Sequence, residues 1–462
     1  MVRYLNLSSI GIFCALLIGV NLGVTNLAFS QGLSLIRDTE IENTIRAYAT
    51  PVFEAGKLAP ESIRIRLVND DSLNAFVTAG NHMFLHTGLL IAAKNSGEVI
   101  GVIAHETGHI VGGHAVTFGA SLEAAMKTTL LTTLLGVAAA VATGESDLAM
   151  AGVLGGQSIA QRQILSFNRG QESAADQFAL KALDTTEQSA QGLYDFFGRL
   201  SGQELLLTNN QDPYIRTHPL TRSRMASVGF HVDNSPYSDS SLDTDLELQH
   251  RRMVAKLYSF LKPQYLTLQK YPDTDLSIEG RYARSVAYYR RGQLDKSVPL
   301  IDNLIIEYPE DPYFWELKGQ MLFENGRLES AINAYRKANE LMPFEPLFLV
   351  AMAHAMVESG DPAYMTETQE ALSIALQEDS TNIFAWDLSA KSYAIADEPG
   401  MSAYAAAERA FIIGQFGDVA RHANKADELL ERGTPMWVRL QDLKLSARSY
   451  MEEIMKRQRK QR

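Results

Sequence analysis

Apolar and polar positions alternate along this chain in two regimes, a strand-bearing one before about residue 90 and a helical one after it. From about Gly32 to Pro60 a loose apolar stripe, Ile41, Ile45, Ala47, Tyr48 and Phe53, predicts one helix. Ile63 to Val68 alternates with Arg64 and Arg66 and reads as a strand, closed by the turn Asn69-Asp70-Asp71. Asn74–Thr78 and His82–His86 read as two more strands around Ala79-Gly80-Asn81. A small sheet is expected here, and the exposed edge of such a sheet can pair with an extended peptide backbone. After it, Val99, Ile100, Val102, Ile103 and Ala104 run on to Ile110 and Val111, the signature of a buried helix. Asn95, with Glu98 three positions on, supplies its start signal.

Past about residue 245 the pattern becomes periodic. Gly292, Gly326 and Gly360 are 34 apart, and so are Pro309 and Pro343, and Pro312 and Pro346. That period belongs to helix-turn-helix repeats of the tetratricopeptide type, with glycine at the turn inside a repeat and proline between repeats. Gly292-Gln293-Leu294-Asp295 aligns with Gly326-Arg327-Leu328-Glu329. Gly360 opens a poorer copy and Gly417 a late one, with an extra helix expected around Pro399 to Gln415. The expected result is a curved α-solenoid whose concave face binds a partner.

Composition narrows the options. The net charge of −12, with no internal Lys/Arg run, disfavours nucleic acid as a partner. The basic tail Lys456 to Arg462 reads as the solubilising end of a fraying helix. At the other terminus Arg3, an apolar core from about Ile10 to Val20 and Ala28-Phe29-Ser30 form the pattern of a cleaved export signal. The sole cysteine, Cys14, lies inside it, so the mature chain would carry no thiol, which suits an oxidising compartment. The expected division is a signal at 1–30, a catalytic domain at 31–245 and a repeat domain at 246–462.

The chemistry is concentrated in His105-Glu106-Thr107-Gly108-His109. Two His four apart on a helix lie on one face and can share a metal ion, and the Glu beside the first can take a proton from an attacking water. Without cysteine, zinc would be held by imidazole and carboxylate alone. Glu172 and Asp176, four apart among Ala174, Ala175, Phe178 and Ala179, share a second helical face. One of the pair can bind metal while the other orients a ligand His. His82 and His86 read as structural or surface residues. His114, five residues past His109, should have rotated off the ligand face and also reads as structural. Between the motif helices, Thr128 to Thr143 carries no charge and Leu148 to Leu154 is again apolar. Both segments are short for a bilayer span. They read as apolar helices that cover the active site or touch the membrane surface.

Taken together, the HExxH motif, Glu172-x-x-Ala175-Asp176, Asn74-Ala75-Phe76 upstream and Thr217-His218-Pro219-Leu220 through Arg224 downstream resemble the M48 family of zinc metallopeptidases, over roughly residues 40 to 230. The resemblance implies a zincin-like α+β domain, mostly α, with one zinc ion. It implies His105, His109 and Glu172 as ligands, Glu106 as general base and Asp176 as the residue behind a ligand. It places His218 and Arg224 near the metal, to cap the site or stabilise the oxyanion, and Asn74 and Phe76 on the substrate side. Joined to an export signal and C-terminal repeats, it implies a periplasmic endopeptidase. Unfolded or stalled outer-membrane proteins would be its substrates and the outer-membrane assembly machinery its partner. Two other classes share these features: a chaperone or adaptor with a latent protease site, and an integral membrane M48 protease.

Overall fold

The computed structural model describes residues 34–114, 117, 126–127, 129–135, 147–201 and 213–461. The expected export signal, with Cys14, lies outside these residues, as do Thr128 and 136–143 of the apolar stretch. Among the described residues no helix is long and apolar enough to cross a membrane. Leu130, Leu131, Leu134 and Leu135 of that stretch are exposed.

The chain forms two compact units. Among the described residues, one contains residues up to Ile36 and Ala49–Ser241, the other Arg37–Tyr48 and everything from Leu242 on. The first unit begins with a short strand β1 (Leu35–Ile36), followed by helix α1 (Thr39–Ala55), which contributes to both units. This replaces the single helix expected from Gly32 to Pro60. Asp38 accepts a hydrogen bond from the Ile41 N–H at 3.0 Å and so starts α1 late. Lys57, at φ 57°, turns the chain out of it early.

Strands β2 (Arg64–Val68), β3 (Ala75–Thr78) and β4 (His82–His86) complete a sheet of order β1-β2-β4-β3. The β2·β4 pair is parallel, with Leu67 opposite Leu85. The β3·β4 pair is antiparallel, with Phe76 opposite Phe84. Ile65, Leu67, Met83 and Leu85 point to one face and are buried, while Phe76 and Phe84 stack on the other at 4.8 Å. β3 is an edge strand, leaving one row of its backbone groups unpaired within the sheet. Helices α2 (Thr87–Ala92), α3 (Ser96–Val111), α4 (Asp147–Thr185), α5 (Gln191–Leu200), α6 (Pro213–Thr217) and α7 (Arg222–Asn234) follow. α3 is buried along its whole length up to His109.

The second unit is helical: α8 (Thr244–Leu261), α9 (Gln264–Lys270), α10 (Ile278–Tyr289), α11 (Leu294–Glu307), α12 (Pro312–Glu324), α13 (Leu328–Leu341), α14 (Pro346–Ser359), α15 (Met365–Glu378), α16 (Ile383–Ile395), α17 (Pro399–Ile412), α18 (Phe416–Leu429) and α19 (Pro435–Gln461). The 34-residue glycines sit at left-handed turns between paired helices, with φ of 71°, 73° and 66°. Pro312 and Pro346 open α12 and α14 at the first turn, where a missing N–H costs nothing. The later turns differ from expectation. Asp397, at φ 57°, joins α16 to α17, and Gly414, at φ 72°, joins α17 to α18. Gly417 lies inside α18. The helix expected around Pro399 to Gln415 is α17.

Candidate metal centre

Asn95 caps α3 by accepting from the Glu98 N–H at 3.0 Å, and Glu98 in turn accepts from the Lys94 N–H and from Arg199. Held at that end, α3 stays helical through Val111 and presents His105 and His109 on one face. α4 crosses it at Gly108, where a Cβ would stand 2.8 Å from the Ala175 backbone. Ala175 lies between Glu172 and Asp176. Close approach at Gly108 therefore faces the two carboxylates with the two imidazoles. The short helix α6 then delivers His218, whose N–H donates to Tyr214 O at 2.7 Å and whose ring stacks on Tyr214 at 4.6 Å.

Four side chains converge. His105 Nε2 is 3.1 Å from His109 Nε2 and 3.4 Å from His218 Nδ1. The Glu172 oxygens lie 3.3 Å from each of the first two nitrogens and 3.2 Å from the third. One donor atom from each of His105, His109, Glu172 and His218 falls within 4.8 Å of all the others, and all four residues are buried, so the group could hold a metal ion.

Glu106 is fully buried beside them. Neither of its oxygens accepts a hydrogen bond among the described residues, and His218 Nε2 stands 3.4 Å from one. Burial raises its carboxyl above the ordinary range, against the pull of His218 and His105. Burial also pushes His109 down to about 3, so this imidazole is neutral at neutral pH. Burial would lower His105 as well, but the Asp176 and Glu172 carboxylates lift it to about 9. Glu172, despite burial, is held well below the usual carboxylate range by His218 and by hydrogen bonds from His105 and His109.

Asp176 stands behind this group. Its Oδ1 lies 2.9 Å from His105 Nδ1, and Arg224 donates to it through Nε at 2.6 Å and Nη2 at 2.8 Å. Arg224 Nη1 reaches Glu172 at 2.9 Å and donates to Pro219 O at 2.8 Å, with Phe197 under the guanidinium. Arg224 is thus engaged by carboxylates beneath the donors and does not line the cavity that holds Glu106. That cavity, about 500 Å³, is walled by Phe76, Val77 and Thr78 of β3 on one side and by Glu106, Glu172 and His218 on the other. Asn74 does not line it; its side chain is buried, and its Oδ1 accepts no hydrogen bond among the described residues.

His86 is buried against Ser72, at 2.8 Å, and Asp70, away from the donors. His114 is another matter. It stays off the donor face, and its Nδ1 is 2.8 Å from His109 Nδ1, the ring nitrogen that faces away from the cluster. A helix continued past Val111 would carry His114 away from His109, but α3 stops there. The pair Gly112-Gly113 was the signal for that stop. Tyr214 carried no such signal, because its role follows from a five-residue helix with no periodic pattern of its own.

Residues 36–229 match peptidase family M48, and residues 282–346 match a tetratricopeptide repeat family. Among curated proteins, the chain is 24% identical over 333 residues to the "Beta-barrel assembly-enhancing protease" of Yersinia pestis, covering 71% of this chain and 67% of that one. It is 25% identical over 258 residues to the "Putative beta-barrel assembly-enhancing protease" of Vibrio cholerae, covering 54% and 51%. It is 21% identical over 373 residues to the Escherichia coli K12 protein of the former name, covering 80% and 75%. With a donor cluster on two crossed helices ahead of the repeats, this chain carries a peptidase family M48 domain followed by tetratricopeptide repeats.

Proposed function

We propose that this chain is an exported zinc endopeptidase that hydrolyses peptide bonds of misfolded or stalled outer-membrane proteins, its repeats binding substrate or assembly partners. The observation that carries the reading is a buried three-His, one-Glu cluster beside a buried Glu106 whose oxygens accept no hydrogen bond among the described residues. Tetrahedral zinc with bonds of about 2.0–2.1 Å to nitrogen has donor-to-donor edges of roughly 3.3 Å. The 3.1–3.4 Å separations between neighbouring donors are close to that spacing, and one donor atom from each residue lies within 4.8 Å of all the others. A bound zinc supplies Lewis-acid polarisation of the scissile carbonyl and of the attacking water.

The chain's own residues do the rest. Glu106, with a raised proton affinity and no competing hydrogen bond among the described residues, takes the water's proton and returns it to the leaving amine. Asp176 fixes the His105 ring, and Arg224 fixes Asp176 and Glu172. The edge of β3, unpaired in the sheet among the described residues, offers backbone groups to an extended substrate, with Phe76 in the wall beside it. His218 is the fourth donor, and four protein ligands leave no open position for water. Its role is therefore that of a cap, which swings out of the cluster when the site works. The substrate class rests on the relatives' name, and the periplasmic location on the N-terminal pattern.

Glu106→Gln tests the reading. Zinc, measured by metal analysis, stays at one ion per chain, while cleavage of an unfolded protein falls by at least about 10²-fold, the order expected for loss of a general base. Continued cleavage by this variant overturns the mechanism. Loss of cleavage in wild type with zinc bound favours the chaperone or adaptor reading, to which the closed four-donor arrangement lends some support.

A further inference from the structure

The nitrogens of His105 and His109 that face away from the donor cluster are backed by different chemistry. His105 Nδ1 faces a carboxylate, Asp176, at 2.9 Å. His109 Nδ1 faces a second imidazole, His114 Nδ1, at 2.8 Å, with the two rings edge to face at 74°.

The backbone builds a seat for that second ring. α3 ends where the Gly112 N–H donates to Gly108 O and the Gly113 N–H to Ile110 O. Gly113 takes φ +62°, and among the described residues nothing lies within 4 Å of where its Cβ would stand, so what calls for glycine there is the turn. Gly112 has an ordinary helical φ of −72°, which any residue adopts. What excludes a side chain at Gly112 is the His114 ring, since a Cβ would stand 2.3 Å from its Nε2 and 2.7 Å from its Cδ2. The turn folds His114 back over Gly112 and against His109.

Two ring nitrogens 2.8 Å apart share one proton. If His109 offers its Nε2 lone pair to a metal as a neutral ring, that proton sits on His109 Nδ1 and is donated to His114. His114 must then accept at Nδ1 and carry its own proton on Nε2. We propose that His114, seated on Gly112, is a positioning residue that fixes the tautomer and ring orientation of His109 as a metal ligand. The inference rests on the reading of His105, His109 and Glu172 as ligands, and it goes beyond that reading by assigning His114 and Gly112 a task.

The full-length mature chain provides the test, in three variants. His114→Ala removes the acceptor. Gly112→Ala keeps the imidazole but forces it off its seat, without backbone strain and with a better helix former. His114→Gln returns an acceptor oxygen. Zinc affinity, read by competition with a chromophoric chelator, is expected to fall 10–100-fold in the first two and to recover in the third, the range typical of residues that orient ligands. With Co²⁺ in place of zinc, the visible bands of the first two variants should shift from wild type, while their metal-free unfolding midpoints stay close to it. Unchanged zinc affinity and an unchanged cobalt spectrum in Gly112→Ala and His114→Ala overturn the proposal. Failure of the wild type to bind zinc overturns the ligand reading instead, so the two failures are distinct.

Discussion

Arg224 donates to both carboxylates of the centre, twice to Asp176 and once towards Glu172, with little of its side chain exposed. Counting Pro219 O, the guanidinium serves four acceptors from three nitrogens, and a lysine ammonium, with three donors on one nitrogen, would leave at least one of these oxygens short of a donor. Breaking such a buried arrangement costs about 3–5 kcal/mol when one partner is lost altogether, and Lys should recover part of it. Arg224→Lys is therefore expected to lower the stability of the peptidase unit by about 2 kcal/mol and to weaken zinc binding, both measurable on a Glu106→Gln background. An unchanged unfolding midpoint would show that the fork is dispensable. At this scale His105, His109, Glu172 and Asp176 could be picked from the sequence because each pair is four apart on a single helix. Arg224 came only through resemblance, and its placement under the donors was not legible. His114 reads from the sequence as structural, and its contact with the back of His109 was not legible because it depends on where α3 stops, which two glycines decide.

Between elements, the decisive contact is the crossing of α3 and α4. Glu172 and His105 are 67 positions apart, and what faces them is Gly108 lying on the Ala175 backbone. A methyl group at 2.8 Å from main-chain atoms cannot be accommodated by turning a side chain, so the helices must separate by several tenths of an ångström. Gly108→Ala, although a gain of up to about 1 kcal/mol in helix propensity, is predicted to weaken zinc binding at least tenfold and to cut hydrolysis in proportion. Titration with a competing chelator decides it, and wild-type affinity in the alanine variant would contradict the crossing as drawn. The strands were readable because they alternate. Their order was not, since the parallel β2·β4 pairing places β3 at the edge through contacts that leave no local trace. In the repeats, spacing found three of the left-handed turns. It missed Asp397 because an aspartate there tolerates the conformation without a glycine to mark it.

Across the whole molecule, the repeat unit carries its own buried charge network, which gives it a pH dependence separate from that of the metal centre. Glu40 lies 2.7 Å from Arg252 and 3.3 Å from Lys256, and it accepts from Tyr282 at 2.6 Å. Burial would raise its carboxyl, but Arg252 and Lys256 hold it below the ordinary 4.5. A carboxyl lowered by folding stabilises above its unfolded value and loses that contribution as pH falls through its folded one. Glu316, 3.8 Å from Lys256 and raised to about 7 by burial, acts in the opposite sense. Its penalty is present above about pH 7 and disappears as pH falls towards 4.5. Stability from this network should therefore be greatest near pH 5 and decline on both sides. Glu316→Gln is expected to raise the unfolding midpoint of the repeat unit at pH 8 by about 2–4 °C, roughly 1 kcal/mol once its partial exposure is allowed for, and to leave pH 5 unchanged. Glu40→Gln should lower that midpoint at pH 7 and flatten its fall below pH 4.5. Calorimetry of the full chain with and without chelator separates this transition from the one that zinc stabilises, because only a unit that binds the ion gains from mass action. A pH 8 midpoint unmoved by Glu316→Gln would mean that water already screens this carboxylate, and that Asp38 and Glu40 alone hold Lys256 in place.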